Sequence, residues 1–276
     1  MTRPKLLGRP LTYPAIIGLA IVAVNLLVSL LAPWIAPHSP GDVVGGVWAP
    51  PGGEAVLGAD NLGRDLLSRI IYGTRVTIGA ALASSVLSYL IGWTLGTVAA
   101  LIGGWIDTAI SRLADILLAI PTLIFALALL TVFHGTTALI VTIGVLMSPP
   151  VFRVARALAL DIVASDYIEV ARLRGEGLGW LLVREILPNA LPALAAEFGL
   201  RLCFSVLFIS SLSFLGFGVQ PPQADWGSIV RENALVIGFG GFAPLFPAAA
   251  IALLTIGVNL VVDWFLSLRA RKGELG

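Results

Sequence analysis

Long segments without a charged side chain restrict this chain more than any other feature. No Asp, Glu, Lys or Arg lies between Arg9 and Asp42, and residues 76–106 and 116–152 are also uncharged. A helix that crosses the hydrocarbon core of a bilayer needs about 20 mostly apolar residues. Uncharged runs of this length and number predict several membrane-spanning helices.

The composition excludes several other classes of protein. Apolar residues make up 58% of the 276-residue chain without counting glycine, and charged residues make up 12%. So few charged side chains cannot cover the surface of a water-soluble domain, and so high an apolar content excludes a disordered chain. The net charge of +1 provides no basic field for nucleic acid, and a single cysteine, Cys203, excludes a disulfide framework.

The apolar runs predict an all-α membrane protein with six spans. Residues 116–152 are too long for one helix, and His134-Gly135-Thr136-Thr137 divides them into two, the first starting near Asp107. The other four spans are placed at residues 13–36, 76–106, 191–215 and 241–268. Continuous apolar runs argue against the alternating segments of a barrel. A cleaved signal peptide is the alternative for the first run, which is longer than the usual apolar region of such a peptide.

Lysine and arginine in the loops predict the orientation, because cytoplasmic loops carry an excess of both. If the N-terminus is cytoplasmic, twelve of the 17 lysine and arginine residues lie inside, four lie outside and Arg201 lies within a span. The inside group is Arg3, Lys5, Arg9, Arg112, Arg153, Arg156, Arg172, Arg174, Arg184, Arg269, Arg271 and Lys272, and the outside group is Arg64, Arg69, Arg75 and Arg231. Both termini are therefore predicted to be cytoplasmic.

The predicted topology divides the chain into three regions. Residues 1–40 form a cytoplasmic tail and the first span, residues 41–75 an outer loop, and residues 76–276 a core with five spans. The end of the outer loop predicts an amphipathic surface helix in which Asp65 and Arg69, four residues apart, can pair. A solvated cap on the second span is the alternative for this loop.

The cytoplasmic loop of residues 153–190 is too long for a simple connector. It predicts helices over 161–174 and 178–187 with a glycine turn between them, and Pro188 is predicted to end the second helix. Their apolar faces need cover from the membrane surface, the chain's own spans or a partner protein. Five arginines are balanced by five acidic residues here, which favours a partner over anionic lipid.

Few residues offer chemistry of their own. The chain has two lysines, neither in a phosphate-binding loop, so no catalytic residue, metal site or nucleotide site is predicted. Glu197 and Arg201 can neutralise each other within a span, although intramembrane charges are also functional candidates. The spacing Gly92-x-x-x-Gly96 predicts close helix packing, and Pro121 allows a kink. Ser210, Ser211 and Ser213 give the fifth span a polar face, which suits a translocation pathway.

Three stretches resemble known permeases. Residues 169–175, Glu-Val-Ala-Arg-Leu-Arg-Gly, with Ile186-Leu187-Pro188-Asn189 after them, resemble the EAA loop of bacterial ATP-binding-cassette (ABC) importer permeases. Residues 58–75 and 212–227 resemble the second, or C, permease of dipeptide, oligopeptide and nickel importers. The sequence departs from the family pattern at Ala59, at Val170 and at Ile209-Ser210.

The resemblance implies a transport subunit rather than an enzyme, located in the bacterial inner membrane. Its implied partners are a homologous permease, two ATPase subunits that hold ATP and Mg, an external substrate-binding protein and membrane lipid. No cofactor is expected on this chain. Contact with an ATPase is implied for Glu169, Ala171, Arg172, Leu173, Gly175, Glu176, Leu178 and Trp180.

Other functions stay open at this point. A self-sufficient secondary carrier or channel is one alternative, although the middle of the spans holds few ionisable side chains. A membrane anchor that only recruits a soluble protein is another. Peptides are the substrate that the resemblance implies, with nickel and other small solutes as alternatives.

Overall fold

The structure is a computed structural model that describes residues 5–6, 9–10 and 12–273. Arg3, in the predicted cytoplasmic tail, lies outside the described residues, as do the side chains of Lys5, Arg9 and residues 268–273. The cytoplasmic location of these basic side chains therefore stays a prediction from the sequence.

The regular secondary structure of the described residues is helical apart from a pair of two-residue antiparallel strands, β1 (Lys5–Leu6) and β2 (Arg9–Pro10). The helices are α1 (Tyr13–Ile35), α2 (Leu66–Ile102), α3 (Gly104–Ala119), α4 (Thr122–Val132), α5 (Thr136–Leu146), α6 (Ser148–Val163), α7 (Asp166–Leu173), α8 (Leu178–Trp180), a π-helix (Leu181–Ile186), α9 (Leu187–Phe214), α10 (Trp226–Asn233), a 3₁₀ helix (Ala234–Phe239) and α11 (Leu245–Gly273). The prediction of an all-α fold is confirmed at this level.

Five helical stretches of the described residues are long and apolar enough to cross a membrane, and a sixth can be counted. The sixth is α3 with α4, which pass this test together and are bent by 88° where Pro121 interrupts the helix. Proline lacks the backbone N–H that a helix interior needs, which explains a break at this position. The uncharged runs of the sequence thus correspond to helices.

Several predicted boundaries differ from the structure. The end of the loop of residues 41–75 is not a separate surface helix, because α2 begins at Leu66 and continues to Ile102. The predicted helix over 161–174 is interrupted between α6 and α7. Pro188 does not end a helix, since the π-helix before it runs directly into α9. A π-type turn is one of the local adjustments by which helices accommodate proline.

The chain divides into two compact units. The first contains residues 1–82, 133–139 and 202–276, and the second contains residues 83–132 and 140–201. In the first unit α1 packs along α11, and a Cβ added to Gly18 would lie 2.7 Å from the carbonyl oxygen of Gly257. In this pair small residues allow the two backbones to approach closely.

The second unit has a similar close approach between α2 and α6. A Cβ added to Gly92 would lie 2.7 Å from the carbonyl oxygen of Ser148, and one added to Gly96 would lie 2.7 Å from that of Phe152. Both contacts are to backbone atoms, which cannot move aside as a side chain can. The packing role predicted for Gly92-x-x-x-Gly96 is confirmed.

This contact gives a first prediction, the effect of Gly96→Leu. We expect the variant to lose more than about 2 kcal/mol of stability, because the added side chain must separate the two backbones. Gly79→Leu is the control on the same helix, since a Cβ there meets nothing within 4 Å. The measurement is the apparent melting temperature of the tagged chain in detergent. Equal melting temperatures for the two variants would contradict the packing role.

Candidate functional site

The segment that joins α7 to α8 forms a tight, well-defined turn; we call residues 166–180 the α7–α8 segment. Gly175 follows the end of α7 with φ +82°. The N–H of Glu176 donates to the carbonyl of Ala171 (3.2 Å), and that of Gly175 donates to the carbonyl of Arg172 (2.9 Å). These two bonds form a Schellman motif, in which the left-handed residue is usually glycine. The turn predicted between two helices is therefore present, and it is held by its own backbone.

One face of the α7–α8 segment packs against the second unit's own core. Ile168 and Ala171 are buried in a cluster with Ala100 and Leu101 at the end of α2. The guanidinium of Arg172 also donates to the carbonyl of Leu101 (3.2 Å). The segment is thus attached to the last turn of α2 by apolar packing and by a hydrogen bond.

The opposite face of the segment is uncovered and carries large aliphatic side chains beside charged ones such as Glu169 and Arg174. The side chain of Leu173 is 82% exposed, and Val170 and Leu178 are each about half exposed. An unpartnered group of large aliphatic side chains beside a rigid turn is typical of an interaction surface. The two faces therefore have different roles, one in the chain's own fold and one available for contact.

The predicted contact residues do not all lie on this uncovered face. Ala171 is fully buried in the chain's own core, and Trp180 is half-buried against the same cluster. Glu176 is also only partly exposed. The exposed members of the predicted set are Glu169, Arg172, Leu173, Gly175 and Leu178.

The three predicted pathway serines lie in different surroundings in the first unit. Ser210 and Ser211 line a cavity of about 640 Å³ bounded by α9, α10 and α11. Ser213 is buried, and its hydroxyl lies beside the carboxyl of Asp225, the N-cap residue of α10. Burial raises the pKa of Asp225, although the hydrogen bond that its carboxylate accepts from the backbone N–H of Ser228 opposes that rise. Ser213 therefore lies next to the start of α10 and does not line the cavity.

A second polar feature of the first unit joins the α1–α2 loop to α10; we call it the polar cap cluster (Asp60, Arg64, Arg69 and Glu232). The Asp60 carboxylate accepts from the guanidinium groups of both arginines, at 2.7 Å for Arg64 Nε. The Glu232 carboxylate also accepts from both, at 3.0 Å from Arg64 and 2.6 Å from Arg69. Asp60 and Arg69 are almost fully buried.

The pKa of Asp60 lies below its usual value. Burial opposes the charged carboxylate, but hydrogen bonds from the backbone N–H groups of Arg64 and Leu62, with the charges of Arg69 and Arg64, outweigh that effect. Asn233 extends the contact, because its side-chain carbonyl accepts from Trp48 Nε1 (3.2 Å) and from the N–H of Asn61 (3.0 Å). Together these bonds fix the loop against α10.

Sequence reasoning missed the partners of the cluster. It paired Arg69 with Asp65, but Arg69 bonds to Asp60 and Glu232, while Asp65 accepts from the N–H and hydroxyl of Ser68. Residues 58–75 hold three arginines and two acidic residues, but the third arginine, Arg75, is exposed and lies outside the cluster, so this count does not identify Glu232.

The charged pair within α9 is found as the sequence predicts. The Nε of Arg201 donates to Glu197 Oε1 at 2.7 Å, one helical turn away. Each charge thereby has an opposite charge beside it, which lowers the cost of placing both in an apolar helix.

The apolar helices and the two-faced α7–α8 segment define a multi-pass membrane protein with a surface for contact. Residues 89–272 match the family described as binding-protein-dependent transport system inner membrane component, and the chain belongs to this family.

Individual relatives cover most of the chain. It is 33% identical over 257 residues to the dipeptide transport system permease protein DppC of Haemophilus influenzae, covering 90% of this chain and 87% of that protein. It is 33% identical over 254 residues to the di/tripeptide transport system permease protein DppC of Pseudomonas aeruginosa, covering 89% of this chain and 84% of that protein. It is 35% identical over 208 residues to the glutathione transport system permease protein GsiD of Pectobacterium atrosepticum, covering 75% of this chain and 69% of that protein. The chain is a permease subunit of an ABC importer and works with other components of such a system.

Proposed function

We propose that this permease forms half of a translocation pathway for peptides or similar small solutes delivered by an external binding protein. The observation that carries the proposal is the uncovered face of the α7–α8 segment with its exposed aliphatic side chains, on a chain whose sequence has no phosphate-binding loop. In this proposal the chain has six spans and both termini lie in the cytoplasm. A homologous permease supplies the other half of the pathway.

The α7–α8 segment contacts one of two partner ATPases, which bind the ATP and Mg that this chain does not. Leu173 and Leu178 enter a groove on the ATPase, and Glu169 and Arg172 flank them. Movement of the ATPase reaches the spans through the contacts of Ile168, Ala171 and Arg172 with the end of α2. The buried Ala171 and half-buried Trp180 support the segment from within.

The opposite side of the membrane carries the polar cap cluster and the site for the external binding protein. The orientation is supported by the excess of lysine and arginine on the side of the α7–α8 segment. Peptides are supported as substrates by the names of the relatives, two of which specify dipeptides or di- and tripeptides. A self-sufficient carrier has less support, because Glu197 and Arg201 neutralise each other.

The experiment is to tag the chain in its native host, solubilise the membranes gently and identify the proteins that co-purify. We expect a second permease of similar size and ATPase subunits to co-purify, with one copy of each permease and two ATPase subunits in each complex. Recovery of the chain alone, under conditions that keep a known ABC importer intact, would contradict the proposal. Radiolabelled dipeptide uptake by the host, with and without the gene, then tests the substrate.

A further inference from the structure

An ion pair lies near the middle of a helix that is long and apolar enough to cross the membrane. Arg201 is at the centre of the 28-residue helix α9, one turn after Glu197, and its Nε donates to Glu197 Oε1 at 2.7 Å. The two side chains are 20% and 16% exposed, so the pair can be reached from outside this chain. Charged side chains within a membrane almost always face the interior of a helix bundle or a water-filled cavity. The exposed edge of the pair therefore faces water or another subunit rather than acyl chains.

The other predicted spans offer little charge to a solute. Residues 13–36, 76–106 and 116–152 hold no Asp, Glu, Lys or Arg, and Asp263 lies near the end of the sixth span. A charged group that leaves water for apolar surroundings loses its hydration, and an opposite charge must compensate for that loss. In the spans of this chain, the pair in α9 is therefore the place where both a cation and an anion can be matched midway.

The pair lies beside an apolar groove between α2 and α9. Tyr89 of α2 is close enough for both charges to act on its hydroxyl, which donates to the carbonyl of Leu194 (3.3 Å). Its ring packs edge-on against Phe198, with 5.2 Å between the ring centroids, and these three residues line a groove of about 480 Å³. Arg201 follows Leu194 and Phe198 at helical spacing and continues the same face of α9. In such apolar surroundings, opposite charges attract each other more strongly than in water.

We propose that Glu197 and Arg201 bind the two charged ends of a short peptide as it crosses the membrane. The Glu197 carboxylate takes the N-terminal ammonium group, and the Arg201 guanidinium takes the C-terminal carboxylate. The inference rests on the proposed function and adds to it a binding site within the pathway. The contact between Glu197 and Arg201 opens as the peptide binds, and each of the four charges keeps an opposite charge beside it. Because one set of ion pairs replaces another, net binding is weak, which suits a solute that must also leave.

The spacing of the two charges fits a dipeptide. Side chains four residues apart on a helix have Cβ atoms about 5–6 Å apart. Two extended residues span at most about 7 Å, so the ammonium and carboxylate groups of one dipeptide can each reach the opposite charge. Lipid acyl chains carry no charge with which to match the pair. A neighbouring permease would need two charges of its own on the facing helix, whereas every free dipeptide carries both.

The first test removes both charges at once. In the complete importer we expect Glu197→Gln/Arg201→Met to lower alanyl-alanine uptake at least about tenfold, because the charges of the peptide then meet no opposite charge in the span. The melting temperature of the complex should not change, since neutral side chains leave no unpaired charge behind. Asp115→Asn/Arg153→Met is the matched control, because it removes another ion pair of the chain (2.6 Å) and should keep wild-type uptake.

The second test restores one charge from water. Arg201→Cys places a thiol at the site, and the chain's native cysteine, Cys203, is buried. We expect this variant to lose uptake and to regain it after reaction with aminoethyl methanethiosulfonate, which adds an ammonium group. Sulfonatoethyl methanethiosulfonate, which adds an anion, should react without restoring uptake. The wild-type importer is the control and should keep its uptake after either reagent.

The possible outcomes separate this inference from the proposed function. Absence of dipeptide uptake by the wild-type importer overturns both. Wild-type uptake that persists in Glu197→Gln/Arg201→Met, or that falls equally in the control variant, overturns the inference alone. So does an Arg201→Cys that neither reagent modifies, which indicates cover by a neighbouring subunit, or one that both reagents restore alike. If the double variant does not assemble, restoration of Arg201→Cys by the cationic reagent alone decides the test.

Discussion

Leu173→Asp is expected to lower transport-coupled ATP hydrolysis at least tenfold while the chain still folds and inserts in the membrane. Leu173 is 82% exposed beside the Gly175 turn, so the substitution removes little from the chain's own core. A partner that covers Leu173 would instead have to bury an unpaired carboxylate, which is strongly unfavourable. The measurement is ATPase activity of the reconstituted complex with and without the binding protein and substrate.

The control variant must separate loss of the ATPase contact from the general effect of a new charge. Leu235→Asp introduces the same charge at a side chain of similar exposure, 73%, outside the α7–α8 segment, and it should keep its ATPase subunits. Ala171→Asp is unsuitable, because Ala171 is buried and the charge would disrupt the chain's own packing. Normal coupled hydrolysis in Leu173→Asp would rule out the α7–α8 segment as the ATPase contact.

Arg69→Met is expected to reduce stability by about 3 kcal/mol, the largest effect on folding that we predict. Arg69 is 3% exposed and bridges the carboxylates of Asp60 and Glu232. Methionine retains much of the length of the side chain but leaves two carboxylates close together with one fewer cation. Removing one partner of a buried ion pair commonly costs about 3–5 kcal/mol. The measurement is the apparent melting temperature of the tagged chain.

The pH dependence provides an independent readout of the same cluster. In the folded chain the pKa of Asp60 lies below its ordinary value of 3.8, so its contribution to stability is complete above that pH and is lost on further acidification. Without Arg69 the pKa of Asp60 should move up toward its ordinary value, so less stability should be lost when the pH falls below 3.8.

Arg75→Met is the matched control for this cluster, because Arg75 is exposed on the same helix. Exposed substitutions of this kind usually change stability by less than about 0.5 kcal/mol. If Arg69→Met and Arg75→Met melt alike, with the same dependence on pH, the cluster does not stabilise the fold.

Sequence reasoning was most informative where one local property decides the structure. An uncharged apolar run predicts a helix of membrane length, and Gly92 and Gly96 indicate close packing because spacing and size are local facts. The turn at Gly175 was predicted for the same reason. Pro188 shows the limit of this approach, since a π-type turn lets the helix continue where the residue alone predicts an end.

The sequence alone could not predict contacts between residues that are far apart in the chain. Nothing local links Asp60 and Arg69 to Glu232, which lies more than 160 positions further along the chain. The α7–α8 segment presents a related difficulty. Helical spacing identifies two faces of the segment, but it does not show which face packs against the rest of the chain. That depends on where α2 ends. Ala171 faces the end of α2 and is buried, whereas Leu173 is exposed.

The backbone bonds around Gly175 also affect the free-energy cost of binding a partner. A loop that orders only on contact loses conformational entropy at that moment, and this loss weakens the complex. Here the turn is already closed by Glu176 and Gly175, and its inner face is already packed. A partner can therefore bind through a few exposed side chains without first having to order the turn.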